Sequence, residues 1–229
     1  MVFGLNIFFI SIHVSTVFLA HEIPGISWIG NDVLRLDRDR SVAEFFNYLQ
    51  TFVTVMLLGR AFVLSRQGVY LAWSLIFAFI VLDDAMLVHE RVGGFLAAKL
   101  AFPTLSGLRP LDIGELMVWA AAAALLLPLL VWGFRSSTRQ AAGYGALLTL
   151  IFAVLVFFGL AVDMIHIIVA PWSRLADAAL AIAEDGGEML ALALACSCAL
   201  LLHRRLSTRT ETIAPDTIHH DRDPAPQPD

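Results

Sequence analysis

Residues 142–170 read AGYGALLTLIFAVLVFFGLAVDMIHIIVA, an apolar run that Asp163 and His166 interrupt near its end. A run of roughly 20 apolar residues is enough to cross the hydrocarbon core of a bilayer as an α-helix. Similar runs fill much of the chain, which is 59% hydrophobic and only 15% charged. A soluble domain is less apolar and more charged than this. The sequence therefore predicts an all-α fold, a polytopic membrane helix bundle.

We place about six transmembrane helices on the sequence, with polar loops between them. Ser41, followed three residues later by Glu44, predicts an N-cap at the start of the second helix. Between the third and fourth helices, residues 92–100 predict a short amphipathic helix that lies along the membrane interface. The predicted spans cover residues 2–20, 42–64, 69–90, 113–134, 142–170 and 176–203.

The composition also predicts the domain organisation and the partners. Residues 1–206 form one transmembrane bundle, and the lipid bilayer is its expected partner. Residues 207–229 are rich in Thr, Asp, His and Pro, a composition that predicts a disordered polar tail. The net charge is -5, and no helix has a basic face. A nucleic-acid partner is therefore not expected.

Arginines in the short loops predict the orientation of the bundle. Positively charged residues near membrane helices favour the cytoplasmic side. Arginines flank the loops after the second and fourth spans and follow the sixth, with few acids close to them. We therefore expect a multi-pass protein of the cell inner membrane with both termini in the cytoplasm. These arginines are Arg60, Arg66, Arg135, Arg139, Arg204, Arg205 and Arg209.

Acidic and imidazole side chains lie at the same end of four predicted spans, the end that this topology places on the exported side. A charge in the bilayer core costs about 3 kcal/mol or more, so such groups usually mark a functional site. His13 and the His21-Glu22 pair come from the same end of the first span. The candidate site residues are Asp83, Asp84, His89, Glu90, Glu115, Asp163, His166, Glu184, Asp185 and Glu188.

These residue types favour a metal site. Asp163 and His166 are i, i+3 neighbours, and acid–histidine pairs with further glutamates are the ligand pattern of di-metal helix bundles. Only one such pair is present, so the pattern indicates an ion site more strongly than it indicates two irons. Oxygen ligands with one or two imidazoles suit a divalent zinc, iron or manganese ion. The strongest candidate ligands are Asp83, Asp163, His166, Glu184 and Glu188.

Several short motifs carry a resemblance to a known family. They are LRLDRDR at residues 34–40, FIVLDD at 79–84 followed by His89-Glu90, and EDGGEML at 184–190. On these motifs the chain resembles a family of bacterial polytopic membrane proteins with uncharacterised activity. That family often has Asp-Glu in the first motif and Glu-Glu-x-x-Glu in the last, whereas Asp84 and Asp185 stand here. The resemblance implies an acidic–histidine site within a membrane protein.

Three functions remain open from the sequence. A metal site would serve an enzyme that acts on a lipid-like or quinone-like molecule. In a hydrolase the ion would activate water and a spare carboxylate would act as base, and in an oxidoreductase paired carboxylates would bridge two irons. The same acids would also suit a proton or cation transporter, although the opposite ends of the spans are almost purely apolar. In a non-catalytic scaffold, the acids would share protons or pair with Arg91 or Arg109 and fix the helix register.

Overall fold

The computed structural model describes residues 2–19, 36, 41–105 and 107–213. These residues form helices and no β-strand, so the predicted all-α class is confirmed. A π-helical segment, Phe157–Val162, leads into α7, and a 3-10 turn, Ala170–Trp172, follows it. The α-helices are α1 (Val2–Leu19), α2 (Val42–Ser65), α3 (Gly68–Met86), α4 (Val88–Leu100), α5 (Pro110–Arg135), α6 (Arg139–Val156), α7 (Asp163–Val169) and α8 (Arg174–Ile213).

Five helical stretches are long and apolar enough to cross a membrane, so the chain is a multi-pass membrane protein. The first helix, α1, packs against α8, but its described apolar part, Phe3–Ser15, is shorter than these five. The sixth span, expected over residues 2–20, therefore stays a prediction. The five stretches are Val42–Ser65, Gly68–Met86, Pro110–Arg135, Arg139–Trp172 and Arg174–Thr208.

An apolar core fills the middle of the bundle. In it α3 packs against α2, α5 and α6, while α8 packs against α2 and α6. The buried ring of Trp73 lies 5.8 Å from that of Phe77 and 5.4 Å from that of Phe152, measured between ring centres. The same cluster reaches along α8 from Leu192 to Leu202. Tightly packed side chains therefore separate the two ends of the bundle.

The third predicted span, residues 69–90, is not one helix, and that prediction was wrong. The helix α3 ends at Met86 and α4 begins at Val88, because Leu87 between them adopts the left-handed conformation with φ 53°. The carboxylate of Asp83 then accepts a hydrogen bond of 2.9 Å from the backbone N–H of His89. The Asp83 side chain therefore takes the place of the backbone carbonyl that would accept the N–H of His89 in a continuous helix. The amphipathic helix expected over residues 92–100 is present as α4.

The end of α8 differs in length from the prediction. The helix continues to Ile213, beyond residue 207 where the polar tail was expected to begin. Residues 214–229, the His21-Glu22 pair and the LRLDRDR motif apart from Leu36 lie outside the described residues. The predicted N-cap of α2 is confirmed, because the Ser41 hydroxyl accepts a hydrogen bond of 3.1 Å from the N–H of Glu44.

Two glycines bring α4 and α5 into close contact. A Cβ atom at Gly114 would overlap the carbonyl oxygen of Gly93, and a Cβ atom at Gly93 would lie 2.7 Å from the backbone nitrogen of Glu115. Small residues allow membrane helices to approach in this way. The contact holds Glu115 beside the start of α4, where His89 and Glu90 lie.

The variant Gly114→Ala tests this contact. We expect it to lower the free energy of unfolding by about 1–3 kcal/mol, because neither backbone has room to move away from the added methyl group. Thermal unfolding of the purified protein in detergent measures the change. Gly143→Ala is the control, since a Cβ atom there meets nothing within 4 Å. Equal melting temperatures for the two variants would contradict the close helix contact.

Candidate acidic site at one end of the bundle

A cavity of about 610 Å³ lies at the end of the bundle where α3 ends and α5 begins. Ligand pockets for small organic molecules have volumes of about 300–1,000 Å³. The walls of this cavity come from α2, α3, α4, α5, α7, α8 and the π-helical segment. The acids and histidines that line it are Glu44, Asp84, His89, Glu90, Glu115, Asp163, His166, Glu184, Asp185 and Glu188.

The structure brings nine of the ten predicted site residues together in the walls of this cavity. Asp83 is the exception, because it lies behind His89 and is only 1% exposed. Helices that are distant in sequence supply the nine residues. The geometric expectation that acids and imidazoles from separate crossings meet in one pocket therefore agrees with the fold.

The Asp83 carboxylate holds His89 in place. One oxygen accepts the backbone N–H of His89, and the other lies 2.8 Å from its Nδ1 atom. This contact favours the proton on Nδ1 and leaves Nε2 available, since Nε2 has no hydrogen bond to a described residue. The ring of His89 also lies 5.7 Å from that of Trp119. A carboxylate that orients a histidine in this manner commonly supports a metal ligand.

The charges around His89 also change its acidity. His89 lies in α4, outside the five membrane-crossing stretches. Burial lowers the pKa of His89, but its hydrogen bond to Asp83 and the nearby charges of Asp83, Glu115 and Asp84 outweigh burial, so the pKa is raised. The local field therefore favours the imidazolium form of this side chain when the cavity holds no other cation.

His166 is held by carboxylates on both sides. Its Nδ1 atom lies 2.9 Å from Glu184 and its Nε2 atom 2.9 Å from Asp177. Because both ring nitrogens are engaged, neither is free for a metal in this arrangement. The sequence places Asp177 at the start of α8 but does not indicate that it would reach His166. The α7–α8 turn brings the two residues together.

The cavity carries an excess of negative charge. Arg109 is the one arginine or lysine that lines it among the described residues, and Asp112 binds its guanidinium at 2.7 Å. Several cavity carboxylates form no hydrogen bond or ion pair with the described part of the chain. These five unpaired carboxylates are Asp84, Glu90, Glu115, Asp163 and Glu188.

A distorted helix places two of these acids. The π-helical segment Phe157–Val162 ends directly before Asp163. A Cβ atom at Gly159 within it would overlap the Oε1 atom of Glu188, so the missing side chain leaves room for that carboxylate. Single π-helical turns occur frequently at functional sites. No hydrophobic pattern in the sequence indicates this distortion.

Sequence reasoning missed some residues of the cavity. Glu44 and Tyr48 line it from α2, and the Tyr48 hydroxyl donates a hydrogen bond to the Glu44 carboxylate. The sequence interpretation assigned Glu44 to the helix cap alone. The sequence did contain a signal that Glu44 and Tyr48 belong to the cavity, because they are i, i+4 neighbours at the same end of the bundle as the other acids. Trp119 also lines the cavity and was not singled out from the sequence, whereas Arg109 was considered there only as a partner of the acids.

The described residues contain no group of three or more His, Cys, Asp or Glu side chains that is arranged to hold a metal ion. Two contacts help to explain why no such group is present among these residues. Both nitrogens of His166 are engaged by carboxylates, and Asp83 lies behind His89. The predicted ligands surround the cavity but do not point at one common centre.

The fold and the cavity together define a multi-pass, all-α membrane protein with an acidic pocket at one end. The chain belongs to the family described as Domain of unknown function (DUF8692), whose model matches residues 27–203. That stretch contains every residue of the acidic cavity. No curated protein and no solved structure matches the chain.

The variant Asp83→Asn tests the Asp83–His89 pair. The folded-state pKa of His89 is raised, so the pair stabilises the fold fully below the unfolded pKa of about 6.5. That stabilisation is lost as the pH rises through the higher folded pKa. We therefore expect the melting temperature of Asp83→Asn to fall furthest below that of the unmodified chain at a pH of about 6, and less at about 9.

Nuclear magnetic resonance titration of His89 gives the second readout. Asp83→Asn is expected to lower the pKa of His89, because it removes both the charge and the acceptor. Asp177→Asn is the control, since that carboxylate contacts His166 instead. An unchanged titration of His89 in Asp83→Asn would show that the pair does not control its protonation.

Proposed function

We propose that the acidic cavity binds a divalent zinc, iron or manganese ion and that the protein is a metal-dependent enzyme acting on a lipid-like molecule. One observation carries this proposal. Five unpaired carboxylates surround the same cavity as His89, whose Nε2 atom is available for a ligand. Oxygen donors with an imidazole are the ligands that these ions accept.

The electrostatics support a bound cation. Of the five unpaired carboxylates, Glu90 is exposed and the other four are partly buried. Partly buried carboxylates in one cavity repel one another, and a proton or a nearby positive charge stabilises them. Arg109 meets this need only in part, because Asp112 already binds two of its guanidinium nitrogens and one cation faces several acids. A divalent ion would neutralise two carboxylates at once. It would also compete with the proton that the local field favours on His89.

The contacts divide the candidate ligands into two groups. Glu115, Asp163, Glu188 and the Nε2 atom of His89 are the donors that would hold the ion, since none of them is engaged elsewhere. Their side chains would have to rotate toward one another on binding, because they do not share a centre in this arrangement. Asp83 would orient His89 rather than bind the ion directly, because both its oxygens contact that residue. His166 is the weaker candidate, since both its nitrogens meet carboxylates.

The size and position of the cavity support a substrate as well. Its volume of about 610 Å³ is far larger than an ion needs. Apolar side chains such as Leu160, Ile167 and Met189 line it together with the acids, which suits a molecule that has both a polar and an apolar part. A bound ion would polarise such a substrate or lower the pKa of water. The Tyr48–Glu44 pair would hold or pass a proton.

Transport of a proton or cation has less support. A pathway needs polar groups across the whole membrane, and the packed core of Trp73, Phe77 and Phe152 separates this cavity from the other end. A purely structural role is also disfavoured, because unpaired carboxylates destabilise a fold instead of fixing its register.

Metal analysis of the detergent-purified full chain tests the proposal. We expect stoichiometric zinc, iron or manganese, and a loss of most of it in Glu188→Gln and Asp163→Asn. In Asp83→Asn the metal affinity should fall by about 10–100-fold, the usual effect of losing a group that orients a ligand. Asp177→Asn is the matched control, because its side chain lies at the same end but outside the cavity wall.

Three results would contradict the proposal. The first is the absence of stoichiometric metal after loading with each of the three ions. The second is an equal loss of metal in Asp177→Asn and Glu188→Gln. The third is a proton or cation flux in liposomes that Asp163→Asn abolishes, which would favour transport.

A further inference from the structure

A second cavity, of about 590 Å³, lies at the opposite end of the bundle. The end of α2, the starts of α3 and α6 and the last part of α8 form its walls. Arg205 is the one charged residue in these walls within the described chain, and neither Asp nor Glu lines them. The two cavities therefore have opposite charge.

Two helices begin at the wall of this basic cavity. Gln67 precedes α3 and Thr138 precedes α6, and both residues line it. The backbone N–H of Thr138 donates a hydrogen bond of 2.8 Å to the Gln67 side chain, which joins the two helix starts. The N-terminus of a helix carries a partial positive charge and attracts anions. The N–H groups of Val69 and Ala141 already donate to the hydroxyls of Ser137 and Thr138, so the two helix starts add only their dipoles to the charge of Arg205.

Two side chains in the cavity have unused hydrogen-bonding capacity. The Arg205 guanidinium donates to the Tyr144 hydroxyl at 2.6 Å and pairs with no described carboxylate. A guanidinium has five N–H donors, so most of them remain available. Tyr70 is only 3% exposed and lines the cavity, yet its hydroxyl forms no hydrogen bond to the described residues. The residue is buried, but its hydroxyl oxygen is accessible from the cavity and available to a molecule bound there.

We propose that the basic cavity binds a phosphate group, either as free phosphate or as the phosphate of an anionic lipid headgroup. A guanidinium matches two phosphate oxygens at once, and the Tyr70 hydroxyl in the same wall would donate to a further oxygen. The volume accommodates a headgroup phosphodiester as well as a free ion. Arg66, Arg135, Arg139 and Arg204 lie at the same end and raise the local concentration of anions. This site is independent of the metal proposed for the acidic cavity.

Native mass spectrometry of the full chain with added lipid is the first test. The unmodified protein should retain phosphatidylglycerol in preference to phosphatidylcholine, and inorganic phosphate should displace it. Arg205→Gln should weaken this binding about 10–100-fold, the effect of losing a charged hydrogen-bond donor. Tyr70→Phe removes only one hydroxyl and should weaken it about fivefold. Arg204→Gln is the control, because this neighbouring arginine lies outside the cavity wall.

Isothermal titration calorimetry with inorganic phosphate in a neutral detergent distinguishes free phosphate from the phosphate of a lipid headgroup. Binding of phosphatidylglycerol that depends on Arg205 and is at least tenfold tighter than that of free phosphate assigns the site to a lipid headgroup. Binding of phosphate alone, or tighter than the lipid, assigns it to a free ion. Gel filtration verifies the fold of each variant, and Tyr70→Phe keeps the test decisive if Arg205→Gln does not fold. The proposal is overturned if neither probe binds, or if Arg204→Gln weakens binding as much as Arg205→Gln.

Discussion

The contact between the Asp83 carboxylate and His89 connects the fold with the candidate site. By accepting the N–H of His89, this buried acid compensates for the helical bond that is lost where α3 ends. The chain then turns at Leu87, and α4 can pack closely on α5 through Gly93 and Gly114. The same carboxylate fixes the imidazole of His89 at the cavity. One side chain therefore determines both a helix boundary and the orientation of a possible ligand.

The bundle has a cavity of opposite charge at each end. Unpaired carboxylates line one cavity, and Arg205 with two helix N-termini lines the other. The apolar core around Trp73 separates them, so charge at one end is held away from charge at the other. Without that core the two groups of charged side chains would attract each other and compete with any bound ion. This separation would let the two proposed sites bind their ligands independently.

Much of the candidate site could be predicted from the order of the helices. Acids at the end of one span and at the start of the next must face the same side, so Asp84, Glu115 and Asp163 were expected to meet. The roles of individual histidines could not be predicted this way. His166 meets Asp177 through a turn between α7 and α8, and Gly159 admits Glu188 through a π-helical segment. Neither feature has a periodic sequence signal.

The sequence by itself determined the class of the fold, because long apolar segments are stable only as helices in a bilayer. It also determined which end of the bundle carries the acids, since successive crossings alternate in direction. Only the tertiary structure decided which carboxylates remain unpaired and which face a histidine. Hydrogen bonds between side chains depend on distances of a few tenths of an ångström, and these distances follow from helix packing and local distortions rather than from residue spacing.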